Sequence, residues 1–169
     1  VSFNIADAQS EITKFDNPTG DLGNYYVGRK IGEIWGYHAS ELFQTEQEIQ
    51  KHPSQSTIYG GTWNPGDVKY EDISGDGVIS YGSNTLDDHG DLSIIGNNTP
   101  RYQYGLTLGG EYKGFDFNIF FQGTGKRDLW LGSNRFFGIG SEWDVPMKAT
   151  LDYWTPENVS ARLPRPYIN

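Results

Sequence analysis

The chain has 169 residues, the length of one ordinary domain, and its 22 Gly and 15% aromatics suit turns and pleated surfaces better than helix interiors. A net charge of −9 argues against nucleic acid as the partner, because phosphate binding needs a basic face. The absence of Cys excludes a disulfide framework or thiolate metal site, and no apolar run is long enough for a membrane-crossing helix, which leaves crossing strands open.

In chain order, residues 1–15 come first. Val1, Phe3 and Ile5 share one parity and Ile12 begins another short stretch, so the segment reads as a strand. It opens in mid-strand, without the basic start and apolar centre of a signal peptide. The expectation is a mature chain or a piece cut from something larger. Residues 16–100 follow with little regular pattern. Within them Thr45, Glu46, Gln47 and Glu48 form a capping box, which predicts a short helix ending near His52, before Pro53.

Asp72, Ser74, Asp76, Gly77, Val78, Ile79 and Ser80 then match the first nine positions of an EF-hand-type calcium loop. Alternate side-chain oxygens and the Val78 carbonyl converge on one ion in such a loop, and the Gly permits its sharp turn. Ile79 is expected to face inward and hold the loop to the protein body. The twelfth position, normally a bidentate acid, is Ser83, so Asp87, Asp88 or Asp91 would have to close the site across a bulge over residues 81–90. Without an ion the same residues make an ordinary acidic turn.

The strongest pattern is RYQYGLTLGGEYKGFDFNIFFQG at 101–123. Tyr102, Tyr104, Leu106, Leu108 and Tyr112 hold one parity, and after Lys113 and Gly114 the residues Phe115, Phe117, Ile119 and Phe121 continue it. Gln103, Gly105, Thr107, Gly109, Asp116, Asn118 and Gln122 hold the other, with Phe120 the single apolar intruder. Two period-2 runs joined by a Gly-containing turn predict a β-hairpin, each arm about ten residues long. Arms of that length can cross a bilayer when tilted.

Residues 124–169 carry a second helix signal, with Asp144 as cap and a helix through Met147 to Trp154, stopped by Thr155 and Pro156. Aromatic residues crowd the irregular segments: Tyr25, Tyr26, Trp35, Tyr37, Trp63, Trp130, Phe136, Phe137, Trp143 and Trp154. They suit either stacking on a ligand or packing the segments into a rigid layer. His38, His52 and His89 have no zinc spacing, and no nucleophile elbow or paired catalytic carboxylates can be picked out, so the chain is not expected to be an enzyme.

An 85-residue structureless segment, by the count from 16 to 100, is foreign to a compact soluble domain. Outer-membrane barrels have short periplasmic turns and long extracellular loops. The fold expected is therefore all-β: antiparallel transmembrane β-barrel strands with long extracellular loops containing short helices, a partial barrel. Residues 1–15 and 101–123 supply strands, with a periplasmic turn at Lys113 and Gly114; residues 16–100 and 124–169 supply extracellular loops.

Several blocks resemble the SusC/RagA family of TonB-dependent outer-membrane transporters. Gly32-Glu33-Ile34-Trp35-Gly36-Tyr37 with Glu41-Leu42-Phe43-Gln44 is similar to one family block, although Ser40 and Glu41 stand where a Gly is usual. The run from Pro65 to Asp72, then Ile94-Ile95-Gly96-Asn97 and Pro100 to Gly105, resemble the next. Tyr112 to Asp116, Phe120 to Gly123 and Tyr153 to Asn158 resemble a hairpin and a later loop. The blocks run in order along nearly the whole chain.

The resemblance implies a piece of a large plugged barrel in the outer membrane of a Gram-negative bacterium. It implies import of oligosaccharides or peptides beneath a SusD-like lipoprotein, energised by TonB through a part of the protein absent here. The plug and the closing strand would also lie outside this sequence. The family pattern places an acid five residues before the Gly of its Ile-Ile-Gly segment, which favours Asp91 as the closing ligand. The ligand set for a structural calcium ion is then Asp72, Ser74, Asp76, Val78, Ser80 and Asp91. The competing expectation is a secreted β-sandwich that binds carbohydrate with calcium support, whose aromatic hairpin face would be covered by a second sheet.

Overall fold

The computed structural model describes residues 1–58, 60–132, 145 and 147–167. Asp144, Phe136, Phe137 and Trp143, singled out above, lie outside the described residues. Seven strands are present among the described residues: β1 (Ser2–Ala6), β2 (Glu33–Gly36), β3 (Ala39–Leu42), β4 (Val68–Tyr70), β5 (Ser93–Asn97), β6 (Arg101–Tyr112) and β7 (Phe115–Lys126). One α-helix, α1 (Glu46–Lys51), and a 3-10 turn at Lys148–Thr150 complete the regular structure. The chain divides into two compact units, one of residues 1–34 and 94–130, the other of residues 35–93 and 131–169.

The first unit is built on an antiparallel sheet of order β1-β6-β7. The β6–β7 register runs from Arg101 opposite Lys126 to Tyr112 opposite Phe115, so each arm has twelve residues, longer than the periodicity alone predicts. The turn needs two left-handed residues, and Lys113 (φ 50°) and Gly114 (φ 81°) both adopt that region. This is the turn whose twist matches that of the flanking strands. β1 lies on the other side of β6, with Phe3 opposite Leu106 and Ile5 opposite Tyr104. It is shorter than expected: after Ala6 the alternation gives way to irregular chain, and near Ile12 only an isolated bridge, Glu11 to Lys30, forms.

Polarity follows from this register. Ala6, Arg101 and Lys126 stand at one end of the sheet, and the Lys113–Gly114 turn stands at the other. Every long segment therefore leaves the sheet from the same end.

In the second unit, β3 and β4 pair antiparallel, with Leu42 opposite Val68 and a register shift between Ala39 and Glu41. Phe43 and Ile79 are fully buried, and Ile58 and Trp154 are nearly so. α1 forms where the capping box predicts it: the Glu48 amide donates to Thr45 Oγ1 (3.2 Å) and the helix ends before Pro53. Glu48 Oε2 reaches one residue further back than the usual box, accepting from the Gln44 amide at 3.0 Å.

The second predicted helix does not extend to Trp154. A 3-10 turn at Lys148–Thr150, without a side-chain cap, stands in its place, and Tyr153 bridges to Leu163 instead. The reason is Trp154. Its indole is buried over Gly66 and donates from Nε1 to Gln44 Oε1 at 3.0 Å, an anchorage that overrides local helix preference.

Candidate functional site

Side chains directly opposite in an antiparallel sheet share a face. On one face of the β1-β6-β7 sheet stand Phe3, Ile5, Tyr104, Leu106, Leu108, Tyr112, Phe115, Phe117, Ile119 and Phe121. On the other stand Ser2, Asn4, Gln103, Gly105, Thr107, Gly109, Glu111, Asp116, Asn118 and Gln122. Phe120, opposite Thr107, is the one large apolar side chain on the polar face.

The apolar face is open. Phe115 is 82% exposed, Phe117 56% and Phe121 52%, and Tyr112 and Phe3 are exposed with them. A contiguous apolar patch of this kind is not a normal water-facing surface. Rings and aliphatic side chains are interspersed along it. Tyr104 lies toward the long-segment end and Tyr112 and Phe115 at the turn end, while Leu106, Leu108, Phe117, Ile119 and Phe121 lie between them. Twelve-residue arms reach about 40 Å, or roughly 28 Å across when tilted near 45°.

The acidic loop lies in the second unit. Residues 81–90 make an excursion whose ends meet, with the Asp91 amide donating to the Ser80 carbonyl at 2.8 Å. That closure carries Asp91 to the loop, and Ile79 packs inward with no exposure. Asp88 closes the excursion itself, accepting from the Ser83 hydroxyl (2.6 Å) and amide (2.9 Å). Those two bonds hold its carboxyl below the usual range.

The carboxylates do not converge as an ion's shell would require. Asp91, fully buried, accepts from the amides of Ile73 and Ser74 on Oδ1, both at 2.9 Å, and from Ser80 on Oδ2 at 2.8 Å. An oxygen with two acceptor sites is filled by two donors. Asp72 is turned onto the amides of Gly75 (2.6 Å) and Gly77 (2.9 Å), and Asp76 onto that of Val78 (2.8 Å). Partial burial opposes the Asp72 charge, but the Gly77 and Gly75 amides and the Ser74 hydroxyl outweigh it and lower its pKa.

Among the described residues no group of three acid or His side chains is placed to hold a metal. In this arrangement Asp72, Ser74, Asp76, Val78, Ser80 and Asp91 fit a clamped turn. Asp91 Oδ2, with the Ser80 amide as its one donor among the described residues, keeps a second acceptor site.

Of the aromatic residues, Tyr26 and Trp154 are buried, whereas Tyr25 and Trp130 are exposed. Tyr37, Tyr70 and Trp63 form a run of ring contacts, with centroids 5.3 and 6.1 Å apart. Sequence alternation does not reveal that run, because its members come from separate segments of the chain.

No family model matches the chain. Comparison with curated proteins returns two relatives from Formosa agariphila. TonB-dependent receptor P3 is 27% identical over 141 residues, and TonB-dependent receptor P26 is 31% identical over 142. The chain is similar to TonB-dependent receptors. The similarity covers 83% and 82% of this chain, so it takes in the hairpin arms and the irregular segments together. The chain spans about 13% of the length of each receptor. No helix among the described residues is long and apolar enough to cross a membrane, which says nothing of crossing by strands.

Proposed function

We propose that this chain is a section of the barrel wall and outer loops of a TonB-dependent importer of the SusC/RagA type, in the outer membrane of a Gram-negative bacterium. β1, β6 and β7 cross the membrane. Their aromatic face meets lipid, their Ser, Asn, Gln, Thr and Gly face meets the lumen, and the Lys113–Gly114 turn is periplasmic. The single observation that carries this reading is the open, continuous apolar face on strands long enough to cross a bilayer.

The loops at the opposite end capture an oligosaccharide or peptide and meet a SusD-like lipoprotein. TonB acts through a part of the receptor outside this sequence, and the chain carries no catalysis of its own. A secreted carbohydrate-binding sandwich would need the aromatic row covered, whereas Phe115 stands 82% exposed.

The test is reconstitution of the full-length parent protein. It should require detergent or bilayer, and Ile119→Arg should weaken its insertion far more than Asn118→Arg does. A parent that stays monomeric in plain buffer would overturn the reading.

Calcium in the acidic loop is a separate proposal with a stated requirement. Asp91 must turn the remaining acceptor site of Oδ2, which takes only the Ser80 amide, toward a shell completed by Asp72, Ser74, Asp76, the Val78 carbonyl and Ser80. Equilibrium dialysis of the full-length protein with radioactive calcium tests it: loss of binding in Asp76→Ala supports the site, and unchanged binding removes it.

A further inference from the structure

The second unit contains a cavity of about 450 Å3 between the segment 62–70 and the segment 164–167. That volume lies within the roughly 300–1,000 Å3 of ordinary small-ligand sites. Three aromatic rings line it, Trp63, Tyr70 and Tyr167, together with Asn64, Asp67 and Arg165.

The rings are held in fixed poses. Trp63 donates from Nε1 to the Gln55 carbonyl at 2.9 Å and meets Tyr70 edge to face at 6.1 Å. Gln55, itself buried, accepts from the Tyr70 amide at 2.7 Å and donates to the Val68 carbonyl at 3.2 Å. Tyr167 donates its hydroxyl to Asp67 Oδ2 at 2.9 Å and accepts from Asn64 Nδ2 at 3.1 Å.

Two polar groups are left facing the cavity. Asp67 is only 6% exposed, and its Oδ2 takes both the Asn64 amide and the Tyr167 hydroxyl. Its Oδ1 accepts from none of the described residues. The Arg165 guanidinium lies 5.7 Å from the centre of the Tyr167 ring and pairs with no carboxylate among the described residues. The site thus offers flat apolar walls, one charged acceptor and one forked donor.

We propose that this cavity is a subsite for a neutral saccharide. A pyranose ring presents an apolar C–H face, suited to aromatic walls, and an edge of hydroxyls that both donate and accept. Asp67 Oδ1 accepts from one hydroxyl, and Arg165 donates to its neighbour. An anionic sugar or peptide carboxylate would meet Arg165 but would be repelled by Asp67, in a chain already at −9.

This assignment rests on the reading of these segments as ligand-facing loops of an importer. The experiment is titration of the full-length protein in detergent with neutral tetrasaccharides of several linkages. A uronic-acid tetrasaccharide and an acidic tetrapeptide serve as the other arms, and calorimetry is the readout. At least one neutral tetrasaccharide should bind, with affinity about tenfold weaker in Arg165→Gln and in Trp63→Ala, the loss of one charge-assisted bond or one stacking surface. Arg165→Gln removes no hydrogen bond that holds the fold, so its effect reports on the ligand.

Three results would overturn the subsite: no neutral sugar binds, both variants bind as the parent does, or only the uronide or peptide arm responds to Arg165→Gln. If the protein needs detergent and any of these occurs, the subsite alone fails. If the protein is soluble without detergent yet binding still depends on Arg165, the importer reading fails and the subsite stands.

Discussion

Arg101 grips Asp7 with two parallel bonds, Nε to Oδ1 at 2.5 Å and a terminal nitrogen to Oδ2 at 2.6 Å, across 94 positions of sequence. The pair ties the end of β1 to the start of β6 where the long segments leave the sheet. The Arg101 bond is the chief reason that the Asp7 carboxyl titrates below its usual range. A depressed carboxyl pKa stabilises above the unfolded-state value, and the contribution is lost as pH falls through the folded-state value. The β1–β6 pairing should therefore be insensitive to pH near neutrality and weaken only in acid below the ordinary Asp range. Amide exchange at Phe3 and Ile5 checks this, and Asp7→Asn should abolish the acid step while raising exchange at neutral pH.

The two sheet faces should respond oppositely to charge. Arg introduced at Leu108 or Ile119, in the middle of the apolar face, should destabilise the membrane-inserted protein by about 2–4 kcal/mol. Arg at Thr107 or Asn118, one residue away on the polar face, should cost far less. Urea unfolding from lipid vesicles measures the difference.

Asp91 should be the residue that holds the acidic loop in shape. Asp91→Ala leaves the amides of Ile73, Ser74 and Ser80 without their acceptor, at about 1–3 kcal/mol for each donor that stays buried. Limited proteolysis should then cut within residues 72–91. Chelator added to the parent protein should leave that loop resistant if the amide clamp suffices, and expose it if an ion holds the shape.

Gly66 should tolerate no side chain. Its φ is +95°, and a Cβ there would come within 2.5 Å of the Trp154 ring. The strained backbone alone costs of order 1–3 kcal/mol, so Gly66→Ala should lower the thermal midpoint of the parent protein and raise exposure of Trp154. A red-shifted tryptophan emission reports the second effect. Trp154→Phe, which loses the bond to Gln44 but keeps a ring over Gly66, should be milder.

The parts of this molecule that were legible in the sequence are those governed by local rules. Alternation from Tyr102 to Phe121 revealed the hairpin and its faces, since a strand's period of two needs no knowledge of what lies opposite. The Thr45–Glu48 cap was equally local. The helix predicted to run to Trp154 was not, because the bonds that fix Trp154 come from Gln44 and Leu163 rather than its own turn. Asp91 was legible as a residue near the loop through the family resemblance. Its partners were not, because three backbone amides leave no mark in composition. The cavity of Trp63, Asp67 and Arg165 was invisible for the same reason: its walls are about 100 residues apart, as the Tyr167–Asp67 bond records.

The central claim is that the row of rings on β6 and β7 lies against lipid. Spin labels attached through Cys at Leu106, Phe117 and Ile119, and at Thr107, Asn118 and Gln122, test it in outer-membrane vesicles of the parent protein. Collision with oxygen should dominate at the first three positions and collision with a water-soluble nickel complex, or with neither reagent, at the other three. Labels at Phe117 and Ile119 shielded from oxygen, or reached as readily by nickel as those at Asn118, would contradict the account.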